Sequence, residues 1–278
     1  MKKDWFSKIP ADNLDITRVD FRVARYYRRR IDRERAIAKG LADFLKSQRL
    51  DSTEIDEWND LLKTNQSLNE KFRLRLLLAF AEGVLKEDNR TIDEEAFLGT
   101  VGQLIFKWIR EQYHSEEVLI RIPRVLTDSS KRQGIDYFEI LGNKDDLESM
   151  HFIIWEIKAT DGEVSSRTNE IYEMHLRRSP RLLRGIVREL SESHPADTAL
   201  GKFIRRMPDY WNEDAPCKKI GGAVIFDTSK PPGEVFTTFH KRFPKLKSPE
   251  CLQVILVEVP KFQKTRRKIW KHLLSQMS

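Results

Sequence analysis

The clearest pattern in the chain is an apolar run that two charges interrupt. In residues 150–159, MHFIIWEIKA, the positions around the two charges, 152–155 and 157, are apolar, as in a strand that is covered on both faces. Glu156 and Lys158 are the exceptions, and side chains two positions apart in a strand point to the same face. Charges at such a place are costly unless they are paired or bind a metal, so this pair marks a candidate site.

Apolar periodicity and turn residues predict the elements around this strand. Strands are predicted at 118–126, 135–141, 150–160, 219–227 and 251–259, and helices at 32–48, 53–64, 67–86, 93–113, 165–193 and 265–276. We therefore expect a helical N-terminal region over residues 1–90 and a core over residues 91–278. The predicted class is α/β (α+β), with a mixed central sheet flanked by helices.

A second carboxylate is expected next to the charged pair. Asp136 opens the strand at 135–141, which a turn-rich segment connects to the strand that carries Glu156. Because the two strands form a hairpin, one pairing register places Asp136 opposite Glu156. Two carboxylates and a lysine would then converge.

This constellation, Asp136 followed by Glu156-Ile157-Lys158, resembles the PD-(D/E)xK nuclease superfamily. The core of that superfamily is a helix, a three-stranded meander carrying Asp and then Glu-x-Lys, a helix and a further strand. The elements predicted over residues 93–228 follow the same order. The resemblance implies a restriction-endonuclease-like core in which Asp136 and Glu156 bind Mg²⁺ or Mn²⁺ and Lys158 is the catalytic lysine.

The chemistry of phosphodiester cleavage agrees with this interpretation. A hard cation polarises the phosphate and lowers the pKa of a bound water, and carboxylate oxygens are the ligands that Mg²⁺ prefers. The main-chain carbonyl of Ile157 could add a further oxygen. A lysine beside two carboxylates stays protonated more readily, so we expect Lys158 to orient the nucleophile or stabilise negative charge. The proton acceptor is left open.

The helix that precedes the meander has two candidate residues for the metal site. Many members of the superfamily carry a Glu there, whereas this chain reads GTVGQ over residues 99–103. Gln103 can offer a carbonyl oxygen to a metal or to a water. Glu95, two turns earlier on the same broad side of the helix, is the other candidate.

The distribution of positive charge points to a polyanion. The net charge is +7, and basic clusters occur at 24–33, 177–188 and 261–271. Arg177, Arg181 and Arg184 have i, i+4 and i+7 spacing in the predicted helix 165–193, so they would share one side of it and contact a DNA backbone. The alternative hypothesis for each cluster is that it forms a solvated helix face without contact to nucleic acid.

The remaining features of the composition predict where the protein is found and the redox state of its cysteines. The chain has no run of about eighteen apolar residues and no apolar signal core at its N-terminus, so we expect a soluble, cytoplasmic protein without membrane contact. Cys217 and Cys251 are too few and too isolated for a disulfide framework, and we expect both to be reduced.

These observations predict a metal-dependent DNA endonuclease. A narrower resemblance, to the nuclease subunit of Hachiman-type bacterial anti-phage systems, implies an effector that works with a separate helicase subunit. The alternative is a non-catalytic module with a nuclease-like fold that binds nucleic acid or a partner, in which Glu156 and Lys158 form a buried ion pair. Cleavage that depends on a divalent metal distinguishes the two hypotheses.

Overall fold

A computed structural model describes residues 7–9, 16–20, 52–64, 93–112, 118–123, 136–177, 179–227, 252–259 and 261–277. These residues form seven strands and six helices. The strands are β1 (Ser7–Ile9), β2 (Ile16–Asp20), β3 (Val118–Pro123), β4 (Tyr137–Leu141), β5 (His151–Thr160), β6 (Lys218–Asp227) and β7 (Leu252–Val259). The helices are α1 (Ser52–Thr64), α2 (Glu94–Gln112), α3 (Val164–Arg177), α4 (Ser179–Ser193), α5 (Ala199–Asn212) and α6 (Phe262–Met277).

All strands in the described part of the chain belong to one sheet, in the order β1-β2-β7-β6-β5-β4-β3. Strands β3, β4 and β5 form an antiparallel meander, and β5, β6, β7 and β2 run parallel to one another. Strand β1 is antiparallel to β2 at the edge. The predicted α/β class with a mixed central sheet is therefore confirmed.

Most predicted elements are found, with ends that differ by a few residues. The five predicted strands correspond to β3 to β7, and the predicted helices at 53–64 and 93–113 correspond to α1 and α2. The predicted terminal helix corresponds to α6 and begins earlier, at Phe262. The predicted helices at 32–48 and 67–86 lie outside the described residues.

The N-terminal region also contributes strands that the sequence analysis did not predict. Strand β2 pairs with β7 in parallel, with Ile16 opposite Val254 and Asp20 opposite Glu258. Its sequence, ITRVD, is rich in β-branched residues, which favour a strand, but it is short and next to polar segments. The sheet therefore extends across the predicted boundary at residue 90.

The helical stretch predicted at 165–193 is helical, but the prediction that it is one continuous helix is wrong. The structure has two helices there, α3 and α4, which end and begin on either side of residue 178. Pro180 is the second residue of α4, where its missing N–H is tolerated, but it lacks the hydrogen-bond donor needed to continue α3. Helix α5 was also missed, although Thr198 caps it by accepting a hydrogen bond from the Gly201 N–H at 3.0 Å.

Helices cover both faces of the sheet around β5. On one face, Phe152 of β5 packs against Phe203 and Trp211 of α5, and the core there also includes apolar residues of α3 and α4. On the opposite face, Phe106 of α2 lies 4.9 Å, centroid to centroid, from the ring of Trp155. Strand β5 is thus buried on both faces, as its apolar run predicts.

A buried ion cluster fixes α2 to the meander. Glu139 of β4 is fully buried, and its Oε2 lies 2.6 Å from Nη2 of Arg110 on α2. The indole N–H of Trp155 donates to the same oxygen at 3.2 Å, and Arg121 of β3 approaches Oε1 at 3.5 Å. These contacts hold α2, β3, β4 and β5 in one arrangement.

Two neighbouring glycines of β6 provide a test of this packing. The indole of Trp155 lies directly over Gly221, so a Cβ at residue 221 would overlap a ring that Glu139 holds in place. At Gly222 a Cβ would lie 3.4 Å from Cγ2 of Ile171, which is near an ordinary contact. We predict that Gly221→Ala lowers the free energy of unfolding by about 1–3 kcal/mol, as overpacking does.

Gly222→Ala is the matched control, because it adds the same methyl group one residue along the same strand. It should change the stability little in urea unfolding. Equal effects of the two substitutions would contradict the close contact between Gly221 and Trp155.

Candidate metal and catalytic site

The pairing of β4 with β5 brings two carboxylates together. Tyr137, the first residue of β4, is opposite Trp155, so Asp136 comes next to Glu156 one step beyond the paired residues. Oδ2 of Asp136 accepts a hydrogen bond from the main-chain N–H of Ile157 at 2.8 Å. The carboxylate is therefore fixed against β5 at the point where β4 begins.

The same hydrogen bond orients the carbonyl of Ile157. The N–H and C=O of one residue in a strand point to the same side, and the Ile157 N–H points toward Asp136. The carbonyl oxygen therefore projects toward the same edge, beyond the first residue of β4. This direction agrees with the predicted role of that oxygen as a third ligand.

Gln103 and Glu95, the two candidates on α2, have different surroundings. Nε2 of Gln103 donates to Oδ1 of Asp136 at 2.7 Å, so Gln103 orients the carboxylate with its nitrogen rather than offering an oxygen. Glu95 is 85% exposed and lies 4.0 Å from Nη2 of Arg167. Of the two, Gln103 is the residue that reaches Asp136.

Glu156 and Lys158 form a close ion pair. Nζ of Lys158 lies 2.8 Å from Oε1 of Glu156, whose side chain is almost fully buried, whereas 27% of the Lys158 side chain is exposed. Burial alone would lower the pKa of Lys158, but the charges of Glu156, Asp136 and Glu170 outweigh it and raise that pKa above its usual value. Lys158 is therefore protonated at pH 7 when no cation occupies the site.

Two further charged residues at this place were not predicted. Nη1 of Arg167 contacts both carboxylate oxygens of Glu170, at 2.8 and 3.0 Å. Oε2 of Glu170 lies 4.0 Å from Nζ of Lys158. The signal in the sequence was their i, i+3 spacing in the helix directly after the Glu/Lys strand.

A buried histidine holds α3, the helix with Arg167 and Glu170, against the sheet. His175 lies 3.0 Å, through Nε2, from the main-chain oxygen of Gly221, and because a carbonyl only accepts, Nε2 carries the hydrogen. Complete burial, with a smaller contribution from the charge of Lys218, lowers the pKa of His175 to about 4, although the hydrogen bond to Gly221 opposes this shift. His175 is therefore neutral at pH 7.

The predicted arginine row does not lie on one helix. Arg177 is the last residue of α3, whereas Arg181 and Arg184 belong to α4, because the helix is interrupted before Pro180. All three side chains are exposed. Arg188 joins Arg181 and Arg184 on the exposed side of α4, at i, i+3 and i+7 spacing. We call these three residues the α4 arginine stripe.

The donor set at Asp136 and Glu156 fits a hard divalent cation. Mg²⁺ is usually bound through one or two carboxylates, with water and substrate phosphate as its other ligands. Within the described residues, no group of three or more His, Cys, Asp or Glu side chains is arranged to hold a metal ion. The site thus offers two carboxylates and a main-chain oxygen, not a closed cage.

Comparison with profiles of known protein families and with curated proteins gives no match for this chain. Of the helices that the structure describes, none is long and apolar enough to cross a membrane.

His175 predicts a specific acid sensitivity. Its pKa is about 4 in the folded chain, below the ordinary histidine value of 6.5 that applies to the unfolded chain, so its contribution to stability is complete above pH 6.5 and is lost as the pH falls toward 4. When the pH is lowered from 7.5 to 4.5, we expect protonation linked to this histidine to lower the free energy of unfolding by about 2–3 kcal/mol.

His175→Gln keeps a hydrogen-bond donor but does not titrate, so its unfolding free energy should fall less over this pH range, as measured in urea. His194→Gln, which replaces a partly exposed histidine, should behave as the parent protein does. If parent and His175→Gln lose the same stability on acidification, His175 is not the group responsible.

Proposed function

We propose that this chain is a metal-dependent nuclease that cleaves phosphodiester bonds in DNA. The observation that carries the proposal is that Asp136, directly before β4, lies against β5 next to Glu156, with Lys158 on the same strand face as Glu156. The order α2, β3–β4–β5, α3 and β6 also agrees with a restriction-endonuclease-like core. A strand sequence with Glu-x-Lys alone would be much weaker support.

Each residue of the site has a role in this proposal. Asp136, Glu156 and the carbonyl of Ile157 would hold Mg²⁺ or Mn²⁺, which supplies a polarised phosphate oxygen and a more acidic water when bound. Gln103 keeps the Asp136 carboxylate oriented through its 2.7 Å hydrogen bond. Lys158, on the same strand face as Glu156, would stabilise negative charge that develops on the phosphate during cleavage.

The α4 arginine stripe is the proposed contact for the DNA backbone. Its three guanidinium groups lie on the exposed side of α4, while Leu182, Leu183 and Ile186 face the core. Guanidinium groups match phosphate geometry, and contacts to phosphate need no particular base sequence. The stripe replaces the row that included Arg177.

We further propose that this chain acts in bacterial anti-phage defence, as the effector subunit of a Hachiman-type system. The sequence has no P-loop motif, so any ATP-driven step would come from a partner such as a helicase encoded alongside. Co-purification with that helicase, and cleavage assays with and without it, would test this part of the proposal.

A second candidate function is a non-catalytic module that binds nucleic acid or a partner. The 2.8 Å contact between Lys158 and Glu156 favours it, because a structural ion pair would have the same geometry. The two functions predict different contributions of the Glu156–Lys158 pair to the free energy of unfolding. Removing one partner of a structural buried pair costs about 3–5 kcal/mol, whereas removing a carboxylate from a site built for a cation relieves repulsion between Asp136 and Glu156.

We predict that Glu156→Gln and Lys158→Met each lower the rate of Mg²⁺- or Mn²⁺-dependent plasmid nicking by at least about 100-fold, because each removes a group that contacts the metal or the phosphate. The melting temperature of Glu156→Gln should remain close to that of the parent protein, because the relieved repulsion with Asp136 offsets the lost ion pair. Glu163→Gln and Lys144→Met, at exposed positions, are the charge-matched controls and should retain activity.

Nicking at the parental rate by either site variant would mean that the catalytic assignment is wrong. A large loss of stability in Glu156→Gln, with no metal-dependent nicking by the parent protein, would favour the binding module.

The α4 arginine stripe predicts the salt dependence of DNA binding. Each lost phosphate contact should reduce the slope of log K against log salt concentration by about 0.9, so replacing Arg181, Arg184 and Arg188 with Gln should flatten that slope by up to about 2.7. Binding would be measured from low to moderate salt on duplexes of unrelated sequence.

Helix α6 provides a control with the same charge and spacing. Lys264, Arg267 and Lys271 are exposed at i, i+3 and i+7, and their replacement with Gln removes the same three charges. This variant should keep the parental slope. The opposite result, a flattened slope only in the α6 variant, would place the DNA along α6 instead.

A further inference from the structure

Lys158 lies between two carboxylates that belong to different elements. Its Nζ is 2.8 Å from Oε1 of Glu156 on β5 and 4.0 Å from Oε2 of Glu170 on α3. Glu156 is almost fully buried, whereas 43% of the Glu170 side chain is exposed. The ammonium therefore has a near partner inside the site and a second partner at its rim.

The near partner is also a proposed metal ligand. An oxygen of Glu156 that binds a divalent cation loses most of its attraction for Lys158, because the cation repels the ammonium at short range. Without another anion nearby, Lys158 would either oppose metal binding or move away from the reacting phosphate. Glu170 is at the right distance to accept it.

Arg167 keeps Glu170 in place. Its Nη1 contacts both oxygens of Glu170, and its Nη2 lies 4.0 Å from Glu95 of α2. The carboxylate of Glu170 is thus fixed on the side that faces Lys158. Holding it there in advance reduces the cost of ordering this side chain when Lys158 changes partner.

We infer that Glu170 is a positioning residue that receives Lys158 when a divalent cation occupies Glu156, and that Arg167 orients Glu170 for this purpose. The inference rests on the proposed nuclease function. It has a consequence for metal binding that does not involve cleavage. Glu170 should strengthen metal binding only as long as Lys158 is present to be displaced.

The test is a double-mutant cycle on metal affinity. Mn²⁺ binding would be measured by calorimetry for the full chain, for Glu170→Gln, for Lys158→Met and for the double variant. Glu170→Gln should weaken binding about fivefold in the parental background, a typical coupling for neighbouring charges, and less than about twofold in the Lys158→Met background. Arg167→Gln should weaken binding in the same background-dependent way, by a smaller factor.

Glu173→Gln removes the same charge from an exposed position on α3 and controls for the general loss of negative charge. It should leave Mn²⁺ affinity within about twofold of the parental value, because the carboxylates within 4.0 Å of the Lys158 ammonium are those of Glu156 and Glu170. Equal weakening by Glu170→Gln in both backgrounds would overturn the inference, since Glu170 would then act on the metal without Lys158. No weakening in the parental background would also overturn it.

Mn²⁺ binding by Glu156→Gln distinguishes an error about the role of Glu170 from failure of the proposed function. If Glu156→Gln abolishes Mn²⁺ binding and the cycle shows no coupling, only the role of Glu170 is wrong. If Glu156→Gln and the parent protein bind Mn²⁺ alike, Glu156 is not a ligand, and both the metal site and the role of Glu170 are wrong.

Discussion

The buried carboxylate of Glu139 is the contact on which the site depends. It joins Arg110 of α2 and the indole of Trp155, so that α2, β4 and β5 share one polar centre in an apolar core. A single buried charge in that position would be very costly, and removing one partner of such a cluster typically destabilises a protein by about 3–5 kcal/mol. Through this cluster, Gln103 of α2 and Asp136 before β4 acquire fixed positions relative to β5.

Much of the fold could be predicted from the sequence, because its main signals are local. The apolar run of β5 indicates a strand covered on both faces, and the turn-rich connection at 142–150 indicates that β4 and β5 form a hairpin. One register of that hairpin places Asp136 beside Glu156, and it is the register that the structure has. Element order and strand positions were therefore predicted more accurately than helix ends.

What could not be predicted depends on contacts between residues far apart in the chain. The pairing of β2 with β7 joins segments more than two hundred residues apart, and no local pattern specifies it. Arg167 and Glu170 form an ordinary i, i+3 pair in sequence, and only the packing of α3 on β5 brings them to Lys158. The interruption between α3 and α4 had a local signal, Pro180, but the regular spacing of the arginines suggested one continuous helix.

The side chains of β5 alternate between the two faces of the sheet, and this alternation has a consequence for misfolding. Trp155 and Glu156 are adjacent and point to opposite faces, so a one-residue slip would bring Glu156 beneath α2, beside the carboxylate of Glu139. Two carboxylates would then be buried together and the indole would be forced into the opposite layer. Strand slippage, a common route to aggregation in sheets, is thus disfavoured by charge as well as by shape in the part of the sheet that carries the site.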